Sequence, residues 1–197
     1  MKVVGIVGSY RKGHVIDDAV SEVLRGAESA GAETSKIYLI DKNIEFCNNC
    51  RNCMQQQGTT RGECVYDDDM EEILRQIDSA DAIVLGSPMN FGTVTAVTKR
   101  FIERLVPYAY WPWGSKMPKI RVKKPTKKAI AITSSCMPSA MGRLLAPGCI
   151  NSLKNAAKIM GAKTQSKLWF GLAAKNATDG LNEKGKAKAF AAGKRLV

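Results

Sequence analysis

The sequence predicts an α/β fold in which helices cover both faces of a parallel β-sheet. Three observations support this prediction. Strand-like and helix-like segments alternate along the chain, the first strand-like segment is almost continuously apolar, and turn-forming residues separate the segments. Continuous apolar runs are typical of strands that are buried on both faces. The 197 residues suit one domain, because domains usually contain about 100–200 residues.

The first half of the chain contains three predicted strands and three predicted helices. Gly31 follows the first helical pattern, where a helix commonly ends. The acidic run Asp67–Asp69 opens the second predicted helix, where acidic side chains suit the positive end of the helix dipole. The predicted strands are 2–7, 34–40 and 81–86, and the predicted helices are 15–30, 67–77 and 94–106.

The second half continues the alternation and brings the totals to five strands and five helices. Residues 107–127 form a connection rich in proline, tryptophan and lysine, and residues 41–66 lack clear periodicity. Ligands of such sheets bind outside the carboxyl ends of the strands, which makes the loops there informative. The predicted strands are 128–133 and 163–170, and the predicted helices are 143–160 and 182–195.

Composition and charge exclude several classes of protein. With 45% hydrophobic and 24% charged residues, the chain is not expected to be disordered. Its apolar runs are shorter than the ~18 residues of a membrane span. The opening residues are typical of a first strand and not of a secretory signal, so we expect a cytoplasmic protein whose six cysteines are reduced or metal-bound.

The net charge of +12 comes largely from two basic segments. They form either a solvated surface or a site for an anionic partner. No recognised nucleic-acid motif accompanies them, so no nucleic-acid partner is predicted. The segments contain Lys116, Lys119, Arg121, Lys123, Lys124, Lys127 and Lys128, and Lys184, Lys186, Lys188, Lys194 and Arg195.

The loop from Gly8 to His14 follows the first strand and precedes a helix. Unpaired N–H groups at a helix start favour an anion. Ser9 offers a hydroxyl group, and Arg11 and Lys12 offer positive charge, so a terminal phosphate is expected to bind here. The loop matches neither the dinucleotide-binding fingerprint nor the P-loop. The alternative is an ordinary turn with surface charges.

The loop after the third strand, from Ser87 to Gly92, suits a flat heteroaromatic ring. Met89 and Phe91 offer apolar contact, and Asn90 offers hydrogen bonds. Thr93 or Thr95 is expected to cap the next helix. The alternative is a loop in which the methionine and the phenylalanine are simply buried.

Four cysteines lie within the segment that lacks periodicity. Two-residue gaps allow three thiolates to face one cluster, and a more distant cysteine can supply the fourth ligand. A four-thiolate zinc site tolerates similar gaps, and free thiols without metal are a third interpretation. Cys149 is expected to be a small core residue. The four candidate ligands are Cys47, Cys50, Cys53 and Cys64.

The motifs GSYRKG and SPMNFGTVTAVTKRFIER together resemble the NADPH-dependent FMN reductases of the flavodoxin fold. The added cysteines resemble the iron–sulfur flavoprotein branch of that family. The resemblance implies a flavodoxin-like three-layer sandwich with a five-stranded parallel sheet in the order 2-1-3-4-5. It also implies one FMN-binding domain over residues 1–197, with a cysteine-rich insertion at about 41–66.

The resemblance also implies which residues bind the cofactors. The first loop would hold the FMN phosphate, the third would line the isoalloxazine ring, and the loop after the fourth strand would flank its pyrimidine side. The four cysteines would hold a [4Fe–4S] cluster. The implied FMN contacts are Ser9, Arg11, Lys12, Gly13 and His14, then Ser87, Pro88, Met89, Asn90, Phe91 and Gly92, and finally Ser134, Ser135 and Cys136.

The implied function is an FMN-dependent oxidoreductase that moves electrons between NAD(P)H or a reduced carrier such as ferredoxin, FMN and the cluster. No catalytic side chain is expected, because the flavin carries the chemistry. A homodimer or homotetramer is implied, with no membrane partner. One alternative is a cluster-free NAD(P)H-dependent FMN or quinone reductase. Another is a zinc-stabilised binding module without enzymatic activity.

Overall fold

A five-stranded parallel sheet lies at the centre of the computed structural model, which describes residues 1–173, 176 and 179–197. Two further short strands form a separate antiparallel ribbon. The strands are β1 Lys2–Val7, β2 Glu33–Tyr38, β3 Ala82–Pro88, β4 Ala109–Tyr110, β5 Lys119–Ile120, β6 Lys127–Ser134 and β7 Ala162–Phe170.

Six α-helices and three short 3-10 turns complete the described part of the chain. None of these helices is long and apolar enough to cross a bilayer. The 3-10 turns are Leu39–Asp41, Asn52–Met54 and Val106–Tyr108. The α-helices are α1 Val15–Glu28, α2 Met70–Ser79, α3 Ala96–Glu103, α4 Ser139–Leu145, α5 Gly148–Ile159 and α6 Glu183–Lys194.

The central sheet has the order β2-β1-β3-β6-β7. Counted along the five strands of this sheet, that order is 2-1-3-4-5, so the predicted flavodoxin-like topology is confirmed. One apolar core packs α2, α3 and α5 against one face. A second core packs α1 and α6 against the other face. The result is the predicted three-layer sandwich.

The structure differs from the sequence prediction in two places. The expected helix at 143–160 is wrong, because the chain forms α4 and α5 with a break at Ala146 and Pro147. Proline lacks an N–H group and its ring clashes with the preceding turn, so it begins a new helix here. The expected irregular connection at 107–127 contains the ribbon of β4 and β5.

Candidate functional site

The loops after β1, β3 and β6 enclose a cleft of about 330 Å³ at the carboxyl edge of the sheet. The strand register brings them together, because Val7 lies opposite Gly86 and Pro88 lies opposite Ser134. The cleft is lined by Ser9, Tyr10, Arg11, His14, Val15, Ile16, Pro88, Met89, Asn90, Ser134, Ser135, Cys136 and Ala173.

The first loop is shaped by a buried hydroxyl group. Ser9 Oγ accepts a hydrogen bond from the Arg11 N–H and donates one to the Arg11 carbonyl, both at 3.0 Å. The Arg11 guanidinium lies 3.0 Å from His14 Nδ1, and His14 immediately precedes α1. The cleft therefore combines a guanidinium with the start of a helix, an arrangement that favours an anion.

Asp17, in the first turn of α1, fixes the same loop by a hydrogen bond from the loop's backbone. Its Oδ2 accepts the Gly13 N–H at 2.7 Å, and its Oδ1 accepts from Lys36 Nζ and the Tyr38 hydroxyl group, both at 3.0 Å. Burial disfavours the charged carboxylate, but these hydrogen bonds outweigh it and lower the pKa of Asp17. The Gly13 N–H is therefore committed to a protein partner.

The third loop turns tightly beside the cleft. Asn90 and Thr93 exchange two backbone hydrogen bonds of 2.9 and 3.0 Å, and the two residues between them, Phe91 and Gly92, have φ values of +47° and +76°. The Phe91 side chain is fully exposed at the tip, so the interpretation in which it is buried is wrong. Met89 donates its N–H to the Ser134 carbonyl at 2.9 Å, which ties this loop to β6.

A buried hydroxyl network joins the first and third loops. Thr95 Oγ1 donates to the Gly8 carbonyl at 2.6 Å, and Thr98 Oγ1 reaches the same carbonyl at 3.1 Å. Ser87 Oγ accepts the Thr95 N–H at 3.2 Å. Thr95 also caps α3, as predicted, by accepting the Thr98 N–H. The Ser87 side chain is fully buried and faces this network, so it positions the loops and does not line the cleft.

The loop after β6 is fixed by a tryptophan. Trp169 Nε1 donates to Ser135 Oγ at 3.0 Å, and the Ser135 N–H donates to the Phe170 carbonyl at 3.0 Å. Ser134 and Ser135 are buried, whereas Cys136 is exposed at the rim of the cleft. This third wall is consequently ordered by contacts within the protein.

The cleft brings together nine of the fourteen residues that were predicted to contact FMN. Lys12 is one of the other five, because its Nζ forms an ion pair with Asp41 at 2.6 Å. Sequence reasoning missed four lining residues, since their position depends on how the chain folds around the cleft: Tyr10, Val15, Ile16 and Ala173. The predicted residues outside the lining are Lys12, Gly13, Ser87, Phe91 and Gly92.

The four predicted cysteine ligands all line a second cavity, of about 450 Å³. Its remaining wall is mainly apolar and includes Met54, Pro107, Trp111 and Ile159. Burial, together with the neighbouring thiols, raises the pKa of Cys53 to about 11. Within the described residues, no three His, Cys, Asp or Glu side chains converge closely enough to hold a single metal ion. Cys149 lies in the core, as predicted.

Arg104, immediately after α3, anchors both ends of the cysteine segment. Its Nη1 donates to the Glu45 carbonyl at 2.8 Å and lies 2.5 Å from Asp68 Oδ2, and its Nη2 reaches Cys64 Sγ at 3.5 Å. Burial disfavours the Asp68 carboxylate, but hydrogen bonds from Arg104 outweigh it and lower the pKa of Asp68. This buried ion pair fixes the segment against α3.

Two further arginines lie beside this cavity. Arg121 belongs to a basic segment that was expected to be surface-exposed, but it is buried and donates to backbone carbonyls, including that of Cys53 at 3.2 Å. Arg51 lies between the rings of Trp111 and Trp113, 3.7 and 4.2 Å from their centroids. Trp111 therefore covers the cysteine segment and not the cleft.

The cleft and the cysteine cavity lie at opposite ends of α3 and α5. Thr95 precedes α3 and contacts the cleft loop, whereas Arg104 follows α3 and contacts Cys64. Gly148 begins α5 beside Gly92, and Ile159 ends α5 in the cavity wall. Twelve residues of α-helix span about 18 Å. Within one chain, the two sites therefore lie near opposite ends of these helices.

Solved structures share this architecture over nearly the whole chain. The TM-score is 0.72 against an NAD(P)H:quinone oxidoreductase from Methanothermobacter marburgensis, with 17% identity and coverage of 100% of this chain and 99% of that one. It is 0.71 against an azoreductase from Bacillus anthracis, with 14% identity and coverage of 98% and 99%. A flavodoxin from an archaeon gives 0.58 at 11% identity, covering 100% and 96%. These similarities define a flavodoxin-like fold.

Residues 1–176 match the NADPH-dependent FMN reductase family. The chain belongs to this family, so the family prediction is confirmed. An iron–sulfur flavoprotein of Archaeoglobus fulgidus is 38% identical over 112 residues, 57% of this chain and 49% of that protein. One from Methanocaldococcus jannaschii is 39% identical over 107 residues, 54% and 53% of the two chains. The chain thus spans about half the length of these relatives.

Proposed function

We propose that this chain is an FMN-dependent oxidoreductase of the iron–sulfur flavoprotein type. Residues 1–197 form one FMN-binding domain with a cysteine-rich insertion. Electrons enter from NAD(P)H or a reduced carrier and pass between FMN and a [4Fe–4S] cluster. One observation carries the proposal: a single chain of this family has both a cleft at the carboxyl edge of its sheet and a separate cavity lined by four cysteines.

The cleft has the chemistry that FMN binding requires. Arg11 and the start of α1 suit the phosphate, Pro88 and Met89 offer an apolar wall, and Asn90 offers an amide to the ring edge. Bound FMN supplies exchange of electrons in pairs or singly, while the protein supplies binding and orientation. The Ser135 hydroxyl group is occupied by Trp169 and Met137, so backbone groups of this loop are the better partners for the ring.

The cysteine cavity has the chemistry that an iron–sulfur cluster requires. Thiolates are the usual cluster ligands, and the four thiols surround a cavity with a mostly apolar wall. Cys47, Cys50 and Cys53 have the two-residue gaps of a ferredoxin-type cluster motif. We therefore prefer the cluster to zinc.

The distance between the two sites supports an assembly. They lie near opposite ends of α3 and α5 within one chain, so we expect a homodimer or homotetramer that brings the cavity of one copy to the cleft of another. A run of exposed lysines in the connection between α3 and β6 suits an acidic carrier such as ferredoxin. It is formed by Lys116, Lys119, Lys123 and Lys124. We expect the protein to act in the cytoplasm.

A cluster-free NAD(P)H-dependent reductase is the second candidate. The fold match that favours it is the NAD(P)H:quinone oxidoreductase, which aligns over the full chain. In that case FMN in the cleft would exchange electrons directly with a small acceptor, and the cysteines would remain thiols.

The test is to purify the protein without oxygen, reconstitute it with FMN, iron and sulfide, and count both groups per chain. We expect one FMN, four iron atoms and a broad visible band from sulfur-to-iron charge transfer. Stoichiometric FMN with less than one iron atom per chain would favour the second candidate. Protein that binds neither group would contradict both redox functions and favour a binding module.

A further inference from the structure

Arg121 is a buried cation that has no acidic partner among the described residues. Its side chain is 7% exposed. Its guanidinium donates to the carbonyls of Gln56 at 2.7 Å, Pro107 at 2.9 Å and Cys53 at 3.2 Å. These bonds satisfy its N–H groups but supply no negative charge. A buried charge without a counter-charge is costly, so the position requires a reason.

Arg51 is a second cation beside the cavity, half-buried, and lies in the sequence between two candidate ligands, Cys50 and Cys53. It stacks between Trp111 and Trp113 and donates to the Trp111 carbonyl at 2.7 Å. Its Nε is buried without a hydrogen-bond partner, and no carboxylate pairs with it in the described part of the chain. Arg104, the third arginine at the cavity, differs because Asp68 neutralises it.

The surplus charge beside the cavity matches the charge of the group proposed to fill it. A [4Fe–4S] cluster with four thiolate ligands carries two negative charges when oxidised and three after gaining one electron. Arg51 and Arg121 together supply two positive charges. Cations held in a low-dielectric environment stabilise the more negative, reduced state more strongly.

We propose that Arg121, assisted by Arg51, is the buried counter-charge of the cysteine cavity and raises the reduction potential of the cluster. This inference rests on the proposed cluster. Arg121 does not ligate iron. Its proposed role is electrostatic and goes beyond fastening the cysteine segment. Arg121 contacts the Cys53 carbonyl at 3.2 Å, and its charge would act on the cluster through the protein interior.

The test compares Arg121→Gln, Arg121→Lys and wild-type protein, each reconstituted with FMN and iron. Iron is counted first, and the cluster is then titrated with dithionite and followed by its electron paramagnetic resonance signal, which is distinct from that of the flavin. We expect Arg121→Gln to disfavour reduction at least tenfold, which lowers the potential by about 59 mV for one electron. Arg121→Lys keeps the positive charge, so the reduction potential of its cluster should lie closer to the wild-type value.

Arg75→Gln is the matched control, because Arg75 is 63% exposed on α2 and water screens its charge. An unchanged potential in Arg121→Gln, or equal lowering in both Arg121 variants, would overturn the proposal. If Arg121→Gln loads no iron, loading of Arg121→Lys with a near-wild-type potential supports it, and failure of both variants overturns it. Wild-type protein that loads no iron would instead contradict the proposed cluster itself.

Discussion

Two adjacent cations in the first loop have different environments. Arg11 lines the cleft beside His14. Lys12 turns away to Asp41 and lies over the Tyr38 ring, with Nζ 4.9 Å from its centroid. Of these two cations, Arg11 is therefore the one placed to contact an anion in the cleft.

Arg11→Ala should weaken FMN binding by about 1.5–3 kcal/mol, because it removes a charge-assisted hydrogen bond to the phosphate. Lys12→Ala is the matched control, and it should change FMN affinity by less than about 0.5 kcal/mol. Both dissociation constants can be measured by quenching of flavin fluorescence. Equal effects of the two substitutions would remove Arg11 from the phosphate site.

Residue types in the loops could be predicted from the sequence, but their partners could not. Nothing near Lys12 in the sequence indicates Asp41. The Ser87 hydroxyl group was expected in the cleft, but it faces threonines of the following helix. Arg121 was expected at the surface because arginine is rarely buried. Each of these outcomes depends on contacts between residues that are distant in sequence.

The elements that position the cleft are β1 and α3. Gly8 follows β1, and the hydroxyl groups of two threonines at the start of α3 converge on its carbonyl. A Cβ atom at this position would lie 1.8 Å from Thr98 Oγ1 and 3.1 Å from the Gly86 carbonyl oxygen. Close approach of the backbone, and not a special φ value, accounts for this glycine.

Gly8→Ala should lower the free energy of unfolding by about 1–3 kcal/mol through overpacking and should weaken FMN binding as the two loops separate. Urea denaturation and FMN titration measure the two effects. The double variant Gly8→Ala/Thr98→Ala should lose less stability than the sum of its single variants, because the second change removes the nearest clashing atom. Strict additivity would show that the clash is not the cause.

At the scale of elements, β1, β3 and β6 could be predicted from mostly apolar runs, whereas β2 and β7 are largely polar and could be predicted from their place between helical patterns. The α4–α5 break was missed, because apolar residues continue with helical spacing on both sides of Pro147. The ribbon of β4 and β5 was missed since each strand has two residues. Such a short strand leaves no periodic pattern in the sequence.

Over the whole molecule, the two candidate sites are structurally independent. The cleft depends on loops at the carboxyl edge of the sheet, whereas the cysteine cavity depends on residues 45–68 and on the far ends of α3 and α5. The two sites also differ in polarity. A substitution that abolishes cofactor binding at one site should therefore leave cofactor binding at the other site unchanged.

Cys50→Ala should reduce iron from four atoms per chain to near zero while FMN content and affinity remain unchanged, because a cluster normally requires four ligands. Cys136→Ala is the control, since that thiol lies at the cleft and not in the cavity. Iron assay and flavin release measure the outcome. Full iron content in Cys50→Ala would exclude Cys50 as a ligand.

Hydrogen bonds from Arg104 and Arg121 to backbone carbonyls and Asp68 fasten the cysteine segment to the rest of the fold. Under the proposed function, a chain whose cluster has been destroyed by oxygen should therefore keep its four cysteines near the positions in which they would bind iron. Repair then needs fresh iron and sulfide, and neither a chaperone nor synthesis of a new polypeptide.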